Sequence, residues 1–84
     1  MENIKYYEVE MSKHTKRGKI NETSMCILGI RKPSLKEAER FLAHDIVYVY
    51  KCTHIDTIRE ISKEEAYSAY CMDDIEGTLP VFGR

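Results

Sequence analysis

The sequence predicts an α+β domain of order β-β-α-β-α, a three-stranded, mainly antiparallel sheet with two helices packed on one face. Three observations carry that reading. Residues 4–11 are rich in Tyr and Val and alternate in polarity, as a half-buried strand does. The phrase Ile30-Arg31-x-x-Ser34-x-x-Glu37-Ala38 returns 28 residues later as Ile58-Arg59-x-x-Ser62-x-x-Glu65-Ala66. In both copies a serine is followed three residues on by glutamate, the capping-box signature, so two helices start just after Ser34 and Ser62. The third observation is length: 84 residues make a single domain, residues 1–84, with residues 78–84 as a C-terminal tail. A chain of this size buries roughly 60% of its unfolded surface and has no room for a second core.

In the first strand Tyr7, Val9 and Met11 share one face, and Tyr6, Glu8 and Glu10 the other. Residues 12–19 are polar and basic and form a rather long hairpin loop. The second strand runs over residues 20–30, with Ile20, Cys26, Leu28 and Ile30 on one face. Gly29 marks a bulge or a close backbone approach, and Pro33 stops the strand. Helix one covers residues 35–44, with Leu35, Ala38, Phe41 and Leu42 as its apolar stripe. A third strand begins near Ile46 in Val-Tyr-Val-Tyr and continues through Thr57 or Ile61, with a bulge expected at residues 51–54. Helix two spans residues 63–73 and turns Ala66, Ala69 and Tyr70 inward. The tail is pinned to the core by Phe82. A right-handed crossover then puts strand three beside strand one, in the order 2-1-3, with charges at Glu22 and Lys51 guarding the edges.

Composition excludes several classes. With 43% hydrophobic and 32% charged residues, the chain is too apolar for disorder and too charged for a membrane span. The start lacks the basic patch and apolar run of a signal peptide, and Cys26, Cys52 and Cys71 are an odd count without paired spacing. Reduced thiols and a cytoplasmic setting are the expectation. Cys52-x-His54, completed by Cys26 or Cys71, is the nearest approach to a zinc set, but the tight pairs that structural zinc uses are absent and ordinary packing is expected. A Cys-His catalytic pair has no glycine-rich oxyanion turn to serve it. No cofactor, metal or catalytic residue is expected.

Charge is polarised. Residues 1–36 carry eight Lys/Arg against four Asp/Glu, and residues 37–84 five against ten. The basic part centres on Lys13, Lys16, Arg17 and Lys19, with Arg31 and Lys32 joining them if the second strand returns toward helix one. Such a cluster neutralises phosphates. The acidic part centres on Glu64, Asp73, Asp74 and Glu76 beside Tyr67. Glu64 stands where the helix dipole favours an acid, whereas the other three lie past the point where acids help a helix. They are the residues expected to meet a basic protein surface, with tyrosine supplying contact area.

The Tyr-rich first strand, the long hairpin, the Ser-x-x-Glu-Ala helix and the Leu79-Pro80-Val81-Phe82-Gly83 ending resemble the small single-domain proteins of phages and mobile elements, anti-CRISPR-like inhibitors of bacterial defence nucleases among them. That resemblance implies binding without catalysis, to a host protein or nucleoprotein complex. Nucleic-acid mimics of that kind are strongly acidic, so mimicry by this nearly neutral chain is local to its second half. A small nucleic-acid-binding accessory protein using the basic hairpin is the alternative.

Overall fold

The computed structural model describes residues 3–84, and of Ile46, Val47 and Tyr50 the backbone alone. It is a mixed α+β fold. Strands β1 (Lys5–Thr15) and β2 (Gly18–Gly29) form a long hairpin. Helices α1 (Leu35–Phe41) and α2 (Ile46–Lys51) lead to β3 (His54–Ile61). Helix α3 (Lys63–Tyr70), the single turn α4 (Met72–Ile75) and a 3₁₀ turn (Glu76–Thr78) lead to β4 (Val81–Phe82). The sheet order is β3-β1-β2-β4, with β1 antiparallel to both neighbours and β4 parallel to β2. The expected 2-1-3 order is present. A fourth strand is added where the sequence suggested a tail, and Phe82 pins it against Gly29.

The helices cover both faces, not one. Tyr7, Val9, Met11, Ile27, Ile55 and Ile58 pack with Ala38, Leu42 and Cys52 on one face, beneath α1 and α2. Cys26, Leu28 and Ile61 pack with Ala66 and Met72 on the other, beneath α3 and α4. Cys26, Ile27 and Leu28 are buried in succession, and such a run belongs to a strand covered on both sides. Strand alternation puts Ile20 inside and the helical stripe puts Leu35 inside, yet both are about half exposed, at 46% and 48%. Ala69 is also exposed.

The stretch read as a strand from Ile46 is helical. Asp45 is the cause: its Oδ1 accepts from the Tyr48 N–H at 3.2 Å and its carbonyl from Val49 at 2.9 Å, an N-cap that outweighs the β-preference of Val and Tyr. Lys51 is therefore on a helix and guards no edge. The β3 slip lies at Asp56, between the Glu10–Thr57 and Met11–Ile55 pairs. A second bulge falls in β2, where Asn21 takes φ 55°. The hairpin loop is tight: Lys16 and Arg17 alone separate the strands, and Gly18 supplies the φ of +118°.

The 28-residue repeat is a repeated strand-helix-helix layout, β2-α1-α2 and then β3-α3-α4, whose copies cover opposite faces. Each copy uses its arginine as a latch. Arg31 grips Glu37 at 2.6 Å, and Arg59 grips Glu65 at 2.8 Å. Each also buries its alanine completely, Ala38 and Ala66 at 0%. The capping box is complete only in the first copy. Ser34 Oγ accepts from Glu37 N–H and Glu37 accepts from Ser34 N–H, whereas Glu65 gives its carboxylate to Arg59 and Ser62 caps alone. Ser34→Ala and Ser62→Ala should each cost about 1 kcal/mol without altering the fold, with the larger loss at Ser34. Urea unfolding of the two variants checks this.

Candidate functional site

The acids of the second half divide into those the fold uses and those it leaves in solvent. Glu76 is used. Tyr6 Oη donates to its Oε2 at 2.7 Å and Tyr67 Oη to its Oε1 at 2.8 Å, while the two rings meet edge to face at 6.2 Å. These hydroxyls hold the Glu76 carboxyl below the usual range and tie the 3₁₀ turn to β1. Tyr70 Oη donates to Glu8 Oε2 at 2.7 Å, and Arg59 Nε to Glu8 Oε1 at 2.9 Å. The Tyr70 bond, and after it Arg59, lowers the Glu8 pKa. Beneath α3 and α4 there is thus a fixed polar lattice of tyrosines, carboxylates and one arginine.

Glu64, Asp73 and Asp74 project from that lattice exposed, and no cation pairs with them among the described residues. The chain does not run past a helix end at Asp73. Cys71 adopts φ 54° and a new turn begins at Met72, so Asp73 and Asp74 occupy the first turn of α4, where acids are favourable. Tyr67 is half-buried, with Lys63 Nζ 5.2 Å from its ring centre.

The basic residues do not gather into one patch. Lys13, Lys16 and Arg17 are exposed at the ribbon tip, and Lys19 Nζ lies 3.4 Å from Asp56. Arg31 and Lys32 follow the opposite end of β2, about 40 Å away along twelve residues of strand. β2 runs away from the tip and does not fold back, so the expected proximity is absent. Arg31 is engaged by Glu37, and its guanidinium lies 4.8 Å from the Phe82 ring centre.

A cluster at the ribbon base went unread in the sequence. Ser12, completely buried, donates to Asp56 Oδ2 at 2.6 Å. His14 Nε2 meets Asp56 Oδ1 at 2.8 Å and stacks on His54 at 3.8 Å. The Ser12 bond, followed by His14 and Lys19, holds the Asp56 carboxyl low. Although Ser, His and Asp meet here, the carboxylate stands between hydroxyl and imidazole, and the serine proton points at the acid. That arrangement braces the ribbon against β3 and does not activate a nucleophile. The only advance signal was the expected slip in β3. Burial pushes the Cys26 thiol up to about 11 and raises that of Cys52, opposite to the shift that makes a reactive thiolate. No three His, Cys, Asp or Glu side chains converge on a metal position among the described residues. Nor is any described helix long and apolar enough to cross a membrane.

Four carboxyls, Glu8, Glu37, Asp56 and Glu76, are held below their ordinary values in the folded chain, Glu37 at about 2 through Arg31. A depressed folded pKa contributes stability above the unfolded value, about 4, and that stability is lost as pH falls through the folded values. Urea midpoints should therefore drop between about pH 5 and pH 2. Tyr6→Phe with Tyr67→Phe should shallow that drop by returning Glu76 toward its ordinary pKa. A flat midpoint over this range would count against the carboxylate lattice.

No family model, curated protein or solved structure matches the chain.

Proposed function

We propose that the chain is a non-enzymatic protein-binding module, an inhibitor of the phage-encoded, anti-CRISPR-like kind that acts by occupying a surface of a host defence nuclease complex. Its working face is α3 and α4, with Glu64, Asp73 and Asp74 meeting a basic surface and Tyr67 adding contact area. The observation that carries this reading is the division of the acids: Glu8, Glu65 and Glu76 are engaged by tyrosine hydroxyls and Arg59, and Glu64, Asp73 and Asp74 stand exposed, with no cation paired to them among the described residues. Charges held on a fixed support steer association without ordering a loop. The raised pKa values of the buried thiols support a role other than nucleophilic catalysis. The first-turn position favours Asp73 and Asp74 only weakly, because a one-turn helix has little dipole.

The test is capture from a nuclease-treated bacterial lysate with three baits. Parent chain should retain a partner with a basic surface. Asp73→Lys with Asp74→Lys should lose about tenfold in affinity, chiefly through slower association. Neutralising Lys13, Lys16, Arg17 and Lys19 together should leave capture intact. Loss with the neutralised hairpin alone would refute the assignment of the face.

A second reading, a nucleic-acid-binding accessory protein, rests on one observation. Residues 12–21 hold Lys13, Lys16, Arg17 and Lys19 with no carboxylate among them, on a two-stranded ribbon at one end of a molecule 45 Å long. A ribbon of that kind fits a duplex major groove. It requires a gel shift that weakens steeply with salt and vanishes when those four residues are neutralised.

A further inference from the structure

The outer edge of β2 is only partly used. β4 pairs with it at Leu28 and Gly29, and Ile30 N–H donates to the Phe82 carbonyl at 3.0 Å. That bond sets the parity of the strand: Leu28, Cys26 and Ser24 turn their N–H and C=O groups to the same side as Ile30. Leu28 meets β4 there. Ser24 and Cys26 have no backbone partner on that side among the described residues, because Leu79 and Pro80 leave the strand line before reaching them. In place of a strand there is a groove of about 230 Å³ beside Met25 to Leu28, lined further by Phe41, Leu42, His44 and Asp45 and by Leu79 and Pro80.

We infer that this edge and groove form a strand-addition site for an extended segment of another protein, its main chain pairing with Ser24 and Cys26 and one large apolar side chain turned onto the face of Phe41 and Leu42. The occupant's chemistry follows from the slot. β4 already fills its upper end as a strand, so whatever continues the ladder must offer an extended backbone with alternating donors and acceptors. Phe41 and Leu42 in a volume of this size favour one bulky aliphatic or aromatic anchor, with His44 and Asp45 forming the polar part of the lining. The site lies at a sheet edge and uses none of Glu64, Asp73 or Asp74. It is thus independent of the acidic face, and either can fail alone.

The experiment titrates labelled full-length protein with the capped pentapeptide Thr-Val-Leu-Val-Thr and reads amide shifts and exchange protection. The Leu peptide should protect the Ser24 and Cys26 amides. Exchanging its central Leu for Ala should weaken binding about tenfold, the loss expected for an unfilled anchor pocket. A peptide N-methylated at alternate residues should not bind, which tests the ladder without altering the protein. Ser24→Pro removes an outward donor at an edge that tolerates proline, and should abolish protection of the Cys26 amide. Asp73→Lys with Asp74→Lys should bind the peptide as the parent does. Absence of protection at Ser24 and Cys26, equal binding by the N-methylated peptide, or protection that grows with protein concentration alone would each overturn the proposal, the last by showing a second copy in the slot.

Discussion

Tyr7→Ala is expected to cost about 3–5 kcal/mol, enough to unfold much of the population under ordinary conditions. Tyr7 is 1% exposed on the central strand, paired with Ile27 on one side and Glu60 on the other. Its ring closes over Gly29, so near that a Cβ there would lie 3.2 Å from Tyr7 Cε2 and 3.0 Å from the Arg31 carbonyl. Truncation opens a cavity between α1 and the sheet that rigid strands cannot collapse to fill. A chain of 84 residues has a total stability of about 4–13 kcal/mol, so the loss is a large share of it. Urea unfolding measures the effect, and a loss below about 1.5 kcal/mol would mean that the ring is not a principal core element.

Met72→Ala should cost about 2–5 kcal/mol, and its effect should be local before it is global. Met72 is 1% exposed and packs with Cys26, Leu28, Ile61 and Ala66 beneath α4. It is the apolar anchor of the turn that carries Asp73 and Asp74, and a one-turn helix has no stability of its own. Loss of the anchor should raise amide exchange across residues 63–79 while the face beneath α1 and α2 stays protected. Partner capture should fall with it, though both aspartates remain. Uniform loss of protection across the chain would show that the two faces do not melt separately.

Local chemistry explains what the sequence made legible. Ser34 and Ser62 announce helices because capping is settled within four residues, and Tyr7, Val9 and Met11 announce a face because a strand alternates. Gly29 signalled the close approach that Tyr7 and Phe82 make to it. Long-range partners explain the rest. Glu76 reads as a free acid until Tyr6, 70 residues away, donates to it. The second helical layer is hidden because Cys26, Ile27 and Leu28 read as one apolar run whichever face is covered. Val-Tyr-Val-Tyr misled because one cap, Asp45, outweighed the preference of the residues after it. Glu64, Asp73 and Asp74 stand with Glu76 among the acids of the second half, and only the fold separates the engaged Glu76 from the three exposed ones. The knot of Ser12, His14, His54 and Asp56 depends on a bulge that brings β3 to the ribbon base.

Hydrogen exchange on the chain, free and with its captured partner, bears most directly on the proposed working face. Protection should concentrate in residues 63–75, on α3 and α4, with the ribbon tip exchanging as it does in the free protein. Protection confined to residues 13–19, with 63–75 unchanged, would contradict the assignment and give the binding role to the basic ribbon.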